Sequence, residues 1–233
     1  MKPLVRWTIG NVKPAGYECL ARSIDNFTNL YDVDVKVCHN CSVDNLKNIP
    51  SQYLYDQRQE WSIEPMGVAW KLYPPRLAPE RHELLIDNDI IIEKHIEEID
   101  KFFNSNCTLL LEDVTRCYGK FEKHVPPEYC INSGIYGMPP DFNLDKFIDF
   151  FAKTGWEVNA KGEYESSKTF DEQGLVAFSL LSHPSYVIIP NTSVRTCERE
   201  FEEGKGMHFI GLNRREHHRP FQLFKSQRNK FYL

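Results

Sequence analysis

Glu83-Leu84-Leu85-Ile86-Asp87-Asn88-Asp89-Ile90-Ile91-Ile92 is an apolar run that breaks for two carboxylates and an amide, then resumes with three isoleucines. Such a run reads as a buried strand whose end emerges at a site. In an extended chain side chains alternate faces, so Asp87 and Asp89 point one way and Asn88 the other. Two hard oxygen ligands with open positions beside them suit Mg²⁺ or Mn²⁺, which keep waters and take further ligands from substrate phosphates. Taken alone, Asp-Asn-Asp also fits a turn after a core strand, and the rest of the chain has to decide.

On the N-terminal side, Gly67 to Tyr73 predicts a helix stopped by Pro74-Pro75. On the C-terminal side, Glu93 to Phe103, with acids near its start and Ile96, Ile99 and Phe103 apolar, predicts an amphipathic helix. Leu4 to Ile9 reads as a first strand, Gly10-Asn11 to Gly16 as a loop, and the following segment as a helix carrying Leu20, Ile24 and Phe27. Asp34 to Cys38 reads as a second strand. Together these open a right-handed βαβ unit, whose loop lies at the carboxyl edge of the sheet. No GxGxxG is present, so a nucleotide bound there would be held by other chemistry. Ser42 to Pro65 gives no clear pattern. Further strands are expected at Thr108 to Leu111, at Tyr129 to Met138 interrupted by Asn132-Ser133-Gly134, at Tyr186 to Ile189 and at His208 to Gly211. Helices are expected at Asp141 to Lys153 and from Phe170 onward, the latter carrying Leu175, Phe178 and Leu181. No repeat or Pro/Gly/Ser linker divides the 233 residues, and one α/β domain is expected.

A formal charge of −5 argues against a general nucleic-acid binder, and no nucleic-acid partner is expected. Aromatic residues at 13% are abundant enough to stack on bases or sugars as well as fill a core. Cysteines at 19, 38, 41, 107, 117, 130 and 197 are odd in number and irregular in spacing, which fits reduced thiols. Cys38-His39-Asn40-Cys41 has no second pair at ligand spacing, so a zinc site is not expected. Nothing at the N-terminus reads as a signal peptide and no apolar run is of membrane-span length, so a cytoplasmic location is expected.

The order of these elements, with these residues at their ends, resembles the GT-A glycosyltransferases. The nearest resemblance is to glycosyltransferase family 8, the glycogenin-like and bacterial galactosyltransferase-like group. Leu84 to Asp89 resembles that family's DxD strand, and Ile131-Asn132-Ser133-Gly134-Ile135-Tyr136 its N-[SA]-G strand. Asp171-Glu172-Gln173 resembles its acidic-Gln helix start, and His208 to Arg214 its closing H-x-x-G-x-x-K segment. Three departures stand out. Arg214 replaces the lysine, the following Pro-Trp is missing unless Arg219-Pro220-Phe221 takes its place, and the acid of the third motif fits either Asp171 or Glu172.

The resemblance implies a single GT-A-like, Rossmann-like α/β domain over 1–220, its mixed, mostly parallel central sheet flanked by helices, with a basic-aromatic tail over 221–233. It implies a metal-dependent hexosyltransferase, retaining in outcome, that uses a nucleotide sugar, favoured as a UDP-sugar, and a glycan, glycolipid or glycoprotein acceptor. Asp87, Asp89 and His208 would hold Mn²⁺ or Mg²⁺. Asp171 or Glu172 would orient the donor sugar and Asn132 would bond its hydroxyls. Thr8, Gly10 and Asn11 mark the place for base and ribose. Lys71, Asn88, Ser133, Gly134, Gln173, Gly211 and Arg214 complete the substrate-binding set. The tail reads either as a packed helix or as a weak peripheral membrane contact. Two other classes stay open: a sugar-phosphate nucleotidyltransferase, for which Asn11 to Gly16 is a poor version of the usual loop, and a non-catalytic nucleotide-sugar-binding module.

Overall fold

The computed structural model describes residues 1–57, 67–146, 170–196 and 204–228. Ten strands and four α-helices are named here in chain order among them. β1 (Leu4–Ile9), α1 (Pro14–Leu30) and β2 (Asp34–His39) form the expected opening unit. α1 starts with Pro at its first position, where the missing N–H costs nothing, and buries Leu20, Ile24 and Phe27. β3 (Leu54–Asp56) lies in the segment that gave no pattern. β4 (Glu83–Asp87) and β5 (Ile90–Ile92) follow, then α2 (Glu97–Phe103), β6 (Thr108–Glu112) and β7 (Ile131–Met138). α3 (Asp171–Leu181), β8 (Tyr186–Ile189), β9 (Val194–Thr196), β10 (Gly206–His208) and α4 (Arg219–Arg228) complete the order.

Seven strands make one sheet in the order β3-β2-β1-β4-β7-β6-β8. β1, β2, β3 and β4 are mutually parallel, β7 runs against both β4 and β6, and β8 is parallel to β6. One strand is thus reversed in an otherwise parallel sheet. The carboxyl ends of β1, β4 and β6 meet the start of β7 along one edge, where α/β sheets bind ligands.

Burial on both faces explains the unbroken apolar character of Leu84 to Ile86. Leu84 and Ile86 enter the cluster with α1 and α2, around Trp7, Phe27 and Phe102. Leu85 enters the other, with Tyr136, Leu175 and Leu180. Side-chain alternation then places Asp87 on the face of Leu85, under α3. Ile131 and Tyr136, five residues apart, share that second cluster. The alternation therefore breaks once along β7, and the β6–β7 register shifts between Leu110 and Leu111. What the sequence suggested as an interruption at Asn132-Ser133-Gly134 is a bulge in a continuous strand.

The decisive stretch is not one strand but two. It turns at Asn88-Asp89, and β5 leaves for a three-stranded sheet of order β5-β10-β9. His208 pairs with Ile90 in it, and the Phe209 N–H donates to the Asp89 carbonyl at 2.8 Å. The closing strand ends on His208 rather than continuing to Gly211, because Gly211 takes a left-handed φ of 80° that opens a 3₁₀ turn, Leu212–Arg214. α2 begins four residues later than expected, because the Glu93 and Lys94 amides donate to the Lys205 carbonyl, at 2.7 and 3.1 Å. Gly67–Leu72 is a 3₁₀ helix. Of the helix expected over Asp141 to Lys153, residues 141–144 are turn and coil, Asp145 and Lys146 are helical, and 147–153 lie outside the described residues.

α4 packs Phe221 and Phe224 on Phe209, with ring centroids 5.1 and 5.2 Å away. Phe221 and Phe224 are buried, while Phe231 and Tyr232 lie outside the described residues. Among the described residues no helix is long and apolar enough to cross a membrane. Cys38, in β2, and Cys41, just past it, are buried, as small core residues would be.

Candidate metal and donor site

β4 delivers Asp87 to the carboxyl edge, the turn delivers Asp89, and β10 delivers His208. One ligand atom from each lies within 4.8 Å of the others. Octahedral ligands at ~2.1 Å from an ion lie roughly 3 to 4.2 Å apart, so a small contraction brings the three onto one cation. His208 is buried, with Nε2 3.4 Å from Asp89 Oδ1, and its Nδ1 has no hydrogen-bond partner among the described residues. The nitrogen that faces the carboxylates, Nε2, is the one placed to ligate a divalent ion together with Asp87 and Asp89. The donor set of two oxygens and one imidazole suits Mn²⁺ better than Mg²⁺. Burial pulls the His208 ring down, but the Asp89 carboxylate outweighs it and the net displacement is upward.

Asn88 points away from the carboxylates, as alternation predicts. It exchanges two hydrogen bonds with Asn213, Asn88 Nδ2 donating at 2.8 Å and Asn213 Nδ2 at 3.1 Å. Asn213 Nδ2 also reaches Asp89 Oδ2 at 3.5 Å. This pair ties the β4–β5 turn to the segment after His208 and so fixes the distance between the ligands. Gly16 allows it, since a Cβ there would come within 2.6 Å of Asn213 Oδ1. Asn213 was not singled out in the sequence, although it lies inside the H-x-x-G-x-x-R segment.

Lys71 enters from the 3₁₀ helix over Asp87. Its Nζ lies 3.3 and 3.2 Å from the two Asp87 oxygens, 2.7 Å from Glu172 Oε1 and 3.2 Å from Ser133 Oγ. Ser133 Oγ donates to the same Glu172 oxygen at 2.6 Å. Burial opposes the charge on Lys71, and the two carboxylates restore it and carry its pKa upward.

The first turn of α3 divides its two acids. Glu172 faces Lys71, whereas Asp171 accepts from the Lys120 amide at 2.8 Å and lies against Gly119. Gln173 accepts from Ser133 N at 3.4 Å and donates to the Cys117 carbonyl at 3.0 Å. Asn132 accepts from the Gly134 amide at 2.7 Å and donates to Asp113 at 2.8 Å, so its amide holds the bulge. Asp113, just past β6, is a second residue that sequence reasoning missed. Gly134 is packed against the cluster, where a Cβ would meet Asn132 Oδ1 at 2.7 Å and His208 Cε1 at 3.0 Å.

Thr8 lies beside Asp87 in the sheet register and is buried. Gly10 lies between Asn40 and Trp70, where a Cβ would meet Asn40 Oδ1 at 2.8 Å. Asn11 is exposed at the same edge. Arg214 is exposed on the 3₁₀ turn and pairs with no carboxylate among the described residues.

No family model and no curated protein matches this chain by sequence. Solved structures do match it in fold. Galactosyltransferase LgtC, in complex with donor and acceptor sugar analogs, superposes with a TM-score of 0.60 at 10% identity, over 97% of this chain and 95% of that one. Mouse xyloside xylosyltransferase 1 gives 0.53 at 9%, over 91% and 99%. The bifunctional glycosyltransferase WbbM gives 0.55 at 11%, over 94% of this chain and 49% of that one. The fold is that of the GT-A-like glycosyltransferases, and the site at its carboxyl edge is a candidate centre for a divalent cation.

Proposed function

We propose that this chain is a metal-dependent glycosyltransferase that moves a hexose from a nucleoside-diphosphate sugar to a glycan, lipid or protein acceptor. A UDP-sugar donor and a retaining outcome follow from the resemblance to family 8. The observation that carries the reading is the meeting of Asp87, Asp89 and His208 at the edge of the sheet where Lys71, Ser133 and Glu172 also converge.

In this reading Asp87, Asp89 and His208 hold the ion and Asn88 with Asn213 fixes their spacing. The bound ion supplies Lewis-acid stabilisation of the departing nucleoside diphosphate. Lys71 presents its ammonium to the donor phosphates or sugar, in a pocket where such charges act strongly. Glu172 orients the donor sugar and stabilises positive character at its reacting carbon. Ser133 and Gln173 hold Glu172 and the bulge in place. Asn132 acts through Asp113 and the Gly134 amide, keeping the strand close to His208. Thr8, Gly10 and Asn11, beside Trp70, form the rim for base and ribose. Gly211 sets the turn that presents Arg214 to the phosphates.

A nucleotidyltransferase is disfavoured because the segment after β1 enters α1 at Pro14, and Gly16 lies in that helix beneath Asn213 rather than in a phosphate loop. The test is a thermal-shift panel of nucleoside diphosphates with and without Mn²⁺, since a ligand of the native state alone raises apparent stability. A shift for uridine diphosphate that requires Mn²⁺ supports the reading, and no shift with any diphosphate contradicts it.

A further inference from the structure

The Lys71 ammonium touches both oxygens of Asp87, at 3.3 and 3.2 Å. Whichever oxygen a divalent ion takes from Asp87 is therefore one that Lys71 already contacts. A second carboxylate, Glu172, holds the same ammonium at 2.7 Å, and Ser133 Oγ bridges them, 3.2 Å from Lys71 and 2.6 Å from Glu172. One cation thus lies between two acids, of which Asp87 belongs to the metal cluster and Glu172 does not. The Lys71 side chain is 13% exposed, so water cannot screen it from an ion sharing Asp87.

We propose that Lys71 couples occupancy of the metal cluster to occupancy of the donor diphosphate, an inference that rests on the metal-dependent reading above. Without a diphosphate, the ammonium and a divalent ion compete for Asp87 and repel each other. Glu172 gives the ammonium an alternative partner, so it can withdraw from Asp87 without being left unpaired. A diphosphate brings negative oxygens to both cations and removes the conflict. By linkage, uridine diphosphate then raises the affinity for Mn²⁺ by the same factor by which Mn²⁺ raises the affinity for uridine diphosphate. Lys71 acts here as a positioning residue as well as a donor contact, and free metal is held weakly until the nucleotide arrives.

The test measures binding of Mn²⁺ alone, uridine diphosphate alone and both together by calorimetry, for native protein, Lys71→Gln and Lys71→Arg. Lys71→Gln keeps hydrogen-bond donors toward Glu172 but removes the charge. It should bind Mn²⁺ alone roughly ten-fold tighter or more, and the coupling factor should fall by about the same factor, to what direct contact of the ion with the diphosphate leaves. Lys71→Arg should retain the coupling. A purely structural lysine would give the opposite sign, because disordering Asp87 weakens the metal. Mn²⁺ affinity in Lys71→Gln equal to or below that of native protein, with the coupling unchanged, overturns the inference and leaves the metal site standing. Absence of Mn²⁺ binding to native protein, with or without uridine diphosphate, overturns both. Should Lys71→Gln fail to fold, Glu172→Gln reads the same device from the other side. It leaves the ammonium on Asp87 alone, so Mn²⁺ alone should bind more weakly than to native protein and the coupling factor should rise; unchanged affinity, or a loss equal with and without uridine diphosphate, overturns the inference.

Discussion

Burial raises the Asp87 carboxyl to about 6 from an ordinary 3.8, against the pull of Lys71 and with a further push from Asp89. A carboxylate whose folded pKa lies above its unfolded one costs stability in its charged form. That cost is absent below the ordinary value and complete above the raised one. Asp87→Asn should therefore abolish transfer while leaving the metal-free protein as stable or more stable, by about 1 kcal/mol, or ~2–4 °C in Tm. The Tm gain over native protein should grow as pH rises from 4 toward 7. A variant that melts lower throughout would make the carboxylate structural. Glu172→Gln should lower turnover with little loss of stability, whereas Asp171→Asn should loosen the Lys120 turn and act on stability first. Comparing kcat with Tm for the two variants separates them. Asp87 and Asp89 were legible only together with the other three motifs, since acids after an apolar strand also fit a turn, and Asp89 does lie in one. The choice between Asp171 and Glu172 was not, since each residue of a helix turns about 100° and only the positions of Lys71 and Lys120 decide which acid faces the site.

Two glycines at the level of turns and bulges act for different reasons. Gly211 has a positive φ and room for a Cβ, its nearest neighbour being Arg215 at 3.7 Å. Gly211→Ala should cost only the backbone penalty, about 1 kcal/mol, read as a small drop in Tm. Gly134 has no such φ but lacks space, with Asn132, Ile90 and His208 within 3.0 Å of a Cβ. Gly134→Ala should cost ~1–3 kcal/mol and weaken Mn²⁺ binding, because the strand must move off His208. Glu83, which begins the decisive stretch, is wholly buried. It pairs with Arg6 and Arg76, each at 3.3 Å, and accepts from the Leu77 and Ala78 amides. Glu83→Gln would leave two buried guanidiniums short of a counter-charge, and a loss of about 3–5 kcal/mol is expected in denaturant unfolding. The sequence did not reveal these ion pairs, because Arg6 is remote from Glu83 in the chain and Arg76, seven residues away, reaches it only through the turn that precedes β4. The second sheet was hidden for a related reason. β5, β9 and β10 are three residues each, too short to carry a period.

Across the whole molecule, the βαβ opening, the apolar run of β4 and the helix at Asp171 were readable because burial on both faces of a sheet imposes its own pattern. The strand order was not, since the reversal of β7 depends on pairing between distant segments. Nor was the pairing of Asn88 with Asn213, which brings together residues 125 positions apart. The folded chain nonetheless gathers five separated stretches at one edge, for which metal-dependent sugar transfer is proposed above. The most direct measurement is release of uridine diphosphate from UDP-hexoses by native protein, Asp87→Asn and Asp89→Asn, with and without Mn²⁺. Slow release to water that requires Mn²⁺, accelerates with a glycan acceptor and disappears in both variants is the predicted result. Release that persists in the variants or without metal, or pyrophosphate exchange in its place, would contradict it.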